Sequence, residues 1–147
     1  MSPFDLKTVL LAKHAQHVVL IHFPIALFLA GVAFDFLGRW CKQRQLATVA
    51  YYNILVAALA TLPVLATGIL AWQFALEGQK LKGILLMHLV LGWVSSVLIW
   101  IVAILHFRAR RSQSVNVPKY CLALEACAAA VLMVTAHLGG FLSGVNS

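Results

Sequence analysis

The sequence predicts an all-α protein: an integral membrane four-helix bundle, up-down-up-down, with a short N-terminal interfacial helix. Three observations predict it. The 147 residues are 63% hydrophobic and only 10% charged, where a soluble domain carries about 25% charged residues. Four stretches lack lysine and arginine: Val18 to Gly38, Leu46 to Gln79, Gly83 to Phe107, and Tyr120 to the C-terminus. Each is long enough to cross a hydrocarbon core of about 30 Å as a helix of about 20 residues. The joins between them are short, so successive helices run antiparallel as neighbours. The chain reads as one membrane domain, with spans near 18–40, 46–74, 81–107 and 118–142.

The elements follow in order. Residues 1 to about 16 suit a short amphipathic helix on the membrane surface, with Val9, Leu10 and Leu11 apolar and Lys7 and Lys13 reaching headgroups. Span one lacks the n-region and cleavage site of a signal peptide, so it is expected to stay. It ends at Arg39 and Trp40, an interfacial pair. Pro24 has two readings: it sits in the first turn of a helix that starts near Phe23, or it frees the carbonyl of Leu20 in a helix that starts at His17. Span two carries Pro63 near its middle, a kink signal, and Trp72 at its far end. The turn Glu77-Gly78-Gln79-Lys80 leads into span three. The polar RARRSQSVN segment follows, and Pro118 opens span four at a favoured first-turn position.

The net charge of +7 comes from basic residues in the loops. Arg39, Lys42, Arg44, Arg108, Arg110, Arg111 and Lys119 lie on one side, and Lys7, Lys13, Lys80 and Lys82 on the other. The excess puts the first set in the cytoplasm of a bacterial inner membrane, with both termini periplasmic. This placement makes the lipid bilayer the partner and leaves no role for nucleic acid. Three cysteines, Cys41, Cys121 and Cys127, form no CxxC or CxxCH, so covalently attached c-type haem is excluded at the motif level.

Alternation of the spans assigns each histidine to a leaflet. His14, His17 and His22 open span one, His88 lies in the second turn of span three, and His137 lies near the end of span four. These five share the outer side, and His106 alone is on the cytoplasmic side. Residues three and four apart share a helix face. The stripe from His22 runs Ala26, Ala30, Ala33. From His88 it runs Gly92, Ser95. From His137 it runs back through Met133, Ala130 and Ala126 and forward through Gly140 and Gly144. Span two offers Ala57, Thr61, Val64, Gly68 and Ala71. Small residues mark helix contacts in membranes, so His22, His88 and His137 are expected inside the bundle. His14 and His106 read as interfacial.

Ionisable groups inside a membrane usually face the interior and serve a function. Imidazole is an axial haem ligand and a common ligand of copper and zinc. The expected site is therefore one b-type haem, or alternatively a copper or zinc ion, held by His22, His88 and His137 with His17 nearby. Lys13, Lys80 and Lys82 are available to haem propionates. A quinone or a periplasmic cytochrome is the expected redox partner. A larger membrane complex or a homo-oligomer is the partner if the chain is a non-catalytic subunit. His88 and His106 are about 27 Å apart along one helix, and no second histidine joins His106, so one haem at most is expected. Asp35 and Glu125 lie in the inner halves of their spans, either in a proton path or paired with Arg39, Lys42 or Lys119. No nucleophile–base pair, phosphate loop or paired carboxylate points to a hydrolase or transferase.

The stretch HVVLIHFPIALFLAGVAFDF, the TGILAW segment, the histidine of LLMHLVLGW and the AHLGGFLSG segment together resemble the four-span bacterial membrane family called domain of unknown function 2231. The resemblance covers nearly the whole chain from His17 on. It implies His17, His22, Pro24, Asp35, Gly68, His88, His137, Gly139 and Gly140 as family residues, and it implies the topology more than any activity. Two departures stand out. Val18 follows His17 where the family usually has proline. Ala71 stands where an acidic residue often follows the span-two glycine, which removes an outer-side charge partner for a ligand histidine.

Overall fold

Lipid tails are as apolar as leucine, so helices in a bilayer associate through close packing rather than through exclusion of water. The buried residues follow from that. In the computed structural model, which describes residues 13–112, 118 and 120–143, each span buries a narrow stripe of mostly small residues. Most of the expected N-terminal surface helix, the side chain of His14, and Lys119 lie outside the described residues.

The elements are α1 (Lys13–Leu20), α2 (His22–Trp40), α3 (Arg44–Leu70) continued by a π-helical turn (Ala71–Ala75), α4 (Gly83–Arg111) and α5 (Tyr120–Leu142). Among the described residues, four helical stretches are long and apolar enough to cross a membrane: Gln16–Trp40, Arg44–Phe74, Gly83–Arg111 and Tyr120–Leu142. Packing runs in a ring, α2 on α3, α3 on α4, α4 on α5 and α5 on α2. The chain is thus a membrane protein with a four-helix bundle. Leu, Ile, Val and Phe side chains cover its outside as the lipid face, among them Val56, Leu62, Val97 and Ile104.

The first span is broken at Ile21. Pro24 has no N–H, so the carbonyl of Leu20 gains no helical donor. Ile21 keeps right-handed backbone angles. Its N–H meets the carbonyl of His17 at 3.0 Å, and the next turn is stretched, with Ile25 N–H 3.4 Å from the carbonyl of Ile21. The helix therefore begins upstream of His17 and the proline loosens it. At the far end, Lys42 adopts φ +54°, and Gln43 N–H closes a six-residue turn on the carbonyl of Gly38. This is a Schellman-type stop with lysine where glycine is usual.

The buried stripes have coiled-coil spacing. In α2 they are Pro24, Phe28, Gly31, Asp35 and Gly38. In α5 they are Cys121, Glu125, Ala128, Leu132 and Thr135. In α4, Ser95, Ile99, Val102, His106 and Ala109 repeat the alternation of three and four, the spacing of left-handed bundles. The centre is Phe28 and Ile54 with Ala57, Ala58, Ile99, Val102 and Ala128.

This register corrects two of the expected faces. Ala26 is exposed, and so are Met133, Ala130 and Ala126. The stripes drawn through His22 and His137 are therefore not the buried ones. The stripes through Ala57 and Thr61 and through Gly92 and Ser95 are.

Among the described glycines, Gly31 leaves the least room for a side chain. A Cβ there would lie 2.6 Å from Cγ1 of Ile54 and 3.2 Å from its backbone nitrogen. Overpacking of that kind costs about 1–3 kcal/mol. Gly31→Ala should lower the unfolding temperature in detergent, and Ile54→Ala combined with it should cost less than the sum of the two alone. Additive losses would place the helices further apart than described.

Candidate functional site

Polar groups gather at the two ends of the bundle. The first end is where α3 finishes and α4 begins. There, α1 packs against the end of α3 and the π turn. The π turn, closed by Leu76 N–H on the carbonyl of Ala71 at 3.1 Å, widens the helix beside α1. Such insertions recur at functional sites. It also places Trp72, whose Nε1–H donates to the carbonyl of Gln79 at 2.9 Å.

His17 and His88 come together at this end. Their ring centroids are 6.5 Å apart and their planes lie at 83°. Both extend the buried stripes: His17 stands seven residues before Pro24, and His88 seven before Ser95. Each ring lies against a glycine. A Cβ on Gly68 would meet Cε1 of His17 at 2.9 Å, and a Cβ on Gly139 would meet Cε1 of His88 at 3.0 Å. Alanine at either position would push the imidazole out of place.

Hydrogen bonds orient the rings. Nδ1 of His88 is 3.0 Å from the carbonyl oxygen of Thr135. A carbonyl only accepts, so Nδ1 carries the hydrogen and Nε2 keeps its lone pair. Nδ1 of His17 is 3.3 Å from Oγ1 of Thr67. The Thr67 hydroxyl donates to the carbonyl of Pro63 at 2.8 Å, so it accepts from His17. A ligand imidazole usually has its other nitrogen held in this way.

Both histidines face a cavity of about 280 Å³ with mostly apolar walls, which also include Pro24, Thr61, Trp93 and Ile99. The two other expected ligands differ. His22 touches the rim of this cavity, but it is exposed and its Nδ1 donates back to the carbonyl of Val18 at 2.7 Å. His137 is exposed and sits edge-on to Phe141 at 5.0 Å. The reason is the register: His22 is two residues before Pro24 and His137 two after Thr135, so both fall off the buried stripes. Of the four histidines expected at the site, the fold unites His88 with His17.

The second end carries the arginines. Asp35 accepts from Nε of Arg39 at 2.6 Å. Arg39 also reaches the carbonyl of Pro118 at 3.4 Å, tying α2 to the start of α5. His106 is buried among the helices: it is 3% exposed, against 0% for Glu125. Its Nε2 lies 2.7 Å from Oε1 of Glu125, and the Cys121 thiol donates to the same oxygen at 3.4 Å. Glu125 thus partners His106 rather than a basic loop. Part of the signal lay in the spacing, with His106 seven residues after Ile99 and Cys121 and Glu125 four apart, but nothing in the sequence paired the two helices.

The tautomer is a direct test of the first end. Nitrogen-15 spectra of histidine-labelled protein should show His88 protonated at Nδ1, and Gly139→Ala should abolish that signature. An Nε2-protonated His88 would contradict the hydrogen bond to Thr135.

Among curated proteins and among solved structures, no match to this chain was found. A family sequence profile does match, described as Predicted membrane protein (DUF2231), over residues 13–145. That span takes in His17, Gly68, His88 and Gly139, and the chain belongs to the DUF2231 family of membrane proteins.

Proposed function

We propose that this protein carries one redox-active metal centre between His17 and His88, and that the centre is the iron of a b-type haem used for electron transfer. The observation that carries the reading is the paired imidazoles, 6.5 Å between centroids. Two imidazoles bound through nitrogen on opposite sides of one metal, with bonds of about 2 Å, place their centroids about 6 Å apart.

Two further points favour haem. Zinc in a protein takes about four ligands, and two imidazoles come together here. A haem iron needs only two axial donors, because the porphyrin supplies the rest. The cavity of about 280 Å³ is also far more than an ion needs, since one water occupies about 10–15 Å³ on the same measure. Its apolar walls suit a macrocycle. In this reading the His88 and His17 side chains bind the iron, Thr135 and Thr67 orient them, and Gly68 and Gly139 leave room for the rings. A membrane quinone or a periplasmic cytochrome is the proposed exchange partner, with the histidine end facing out. A cuprous ion is the second reading, favoured by the donor count alone.

Protein purified in mild detergent from haem-replete cells should show a Soret band, with sharp α and β bands on reduction. His17→Ala and His88→Ala should each abolish them, while His22→Ala and His137→Ala should not. Thr67→Ala should weaken cofactor retention by about 10–100-fold, the usual effect of losing an orienting partner. A flat spectrum with one copper per chain would select the second reading. A flat spectrum without metal would refute both.

A further inference from the structure

We propose that His106, Cys121 and Glu125 form a second metal site, of the zinc class, at the arginine end of the bundle. It rests on residues separate from the histidine pair. A ring nitrogen of His106, Sγ of Cys121 and a carboxylate oxygen of Glu125 all lie within 4.8 Å of one another, and all three residues are buried. Nitrogen, sulfur and oxygen donors in one set are the mixture that zinc accepts. Cys121 and Glu125 stand one helical turn apart on α5, and His106 faces them from α4. Donors projecting inward from facing helices are how bundles build metal sites.

A second observation points to a ligand. Oε2 of Glu125 is fully buried, and among the described residues nothing hydrogen-bonds to it. Buried carboxylate oxygens are nearly always partnered, and an ion is one of the standard explanations when one is not. A cation beside Glu125 would take up that oxygen.

Charge balance also fits. Asp35 and Arg39 neutralise each other at 2.6 Å. A divalent ion entering the site would displace the thiol proton: the Cys121 S–H bond breaks as Sγ–metal forms, and the proton leaves to solvent. The thiolate and the Glu125 carboxylate then carry two negative charges against the ion's two positive ones, so the occupied site is neutral, as a low-dielectric interior requires. His106 and Glu125, now 2.7 Å apart, separate by about half an ångström to reach the spacing of two donors on a tetrahedral ion. The fourth position is left for a small molecule such as water.

The test uses cobalt(II) as the probe. Full-length protein in mild detergent is stripped with a chelator and titrated with cobalt(II). One equivalent should bind and give a thiolate-to-cobalt charge-transfer band in the near ultraviolet, which zinc(II) then bleaches. The Cys41→Ser/Cys127→Ser variant leaves Cys121 as its one thiol and should keep the band. His17→Ala/His88→Ala should keep it too. Cys121→Ser and His106→Ala should lose it, with helical circular dichroism unchanged. No band in the wild type or in the Cys41→Ser/Cys127→Ser variant would overturn the proposal, as would a band that survives Cys121→Ser.

Discussion

The bundle depends on the contact between α2 and α3 at Gly31. No water is squeezed out when two helices meet in lipid, so cohesion comes from dispersion contacts that fade within an ångström. Gly31 lets the backbones close until the Ile54 side chain fills the space that a Cβ would need. Gly38 repeats the device seven residues later, where a Cβ would lie 3.0 Å from the backbone nitrogen of Ala47. These contacts fix the rotation of α2, and that rotation decides which side chains enter the interior. Phe28 and Asp35 enter. His22 and Ala26 do not.

The same register makes the molecule two-ended. Between the ends the interior is apolar, built on Phe28, Ile54, Ile99 and Leu132. Buried polar groups there are satisfied locally: Trp100 Nε1–H on the Thr61 hydroxyl at 3.2 Å, and the Ser95 and Ser96 hydroxyls on the carbonyl of Gly92. At one end the interior opens into a cavity with two imidazoles. At the other it closes on a carboxylate, a thiol and an imidazole. The two groups of ligand-type side chains are kept apart by the length of α4, which carries His88 near its start and His106 near its end.

Much of this was legible in the sequence. Four apolar runs joined by short basic loops left little freedom in the topology. The stripes of α3 and α4 could be read because small residues recur along one face, as in Ala57, Thr61, Gly68 and Ala71. In α2 and α5 small residues occur all round the helix, and the alanines at 26, 30 and 33 were as plausible as Gly31 and Gly38. Tracing a face outward from a chosen histidine then gave the wrong face. The heptad, anchored at the two glycines, runs back through Pro24 to His17 and would have picked that residue over His22. His106 was hard to read for another reason. Its position near a basic loop suggested an interface, and its burial depends on Glu125 from another helix, a pairing that composition does not reveal.

The break at Ile21 has a mechanical consequence. His17 rides on α1, joined to the rest of the span through one stretched turn. His88 is set within the unbroken α4. The two imidazoles are therefore mounted with unequal stiffness. His17 stands four residues, about 6 Å of helix, from the pivot. On that lever, a 10° change in the angle at the pivot corresponds to about 1 Å at the ring. The gap between the imidazoles is thus set on the α1 side, where the Thr67 hydroxyl and Gly68 hold the His17 ring.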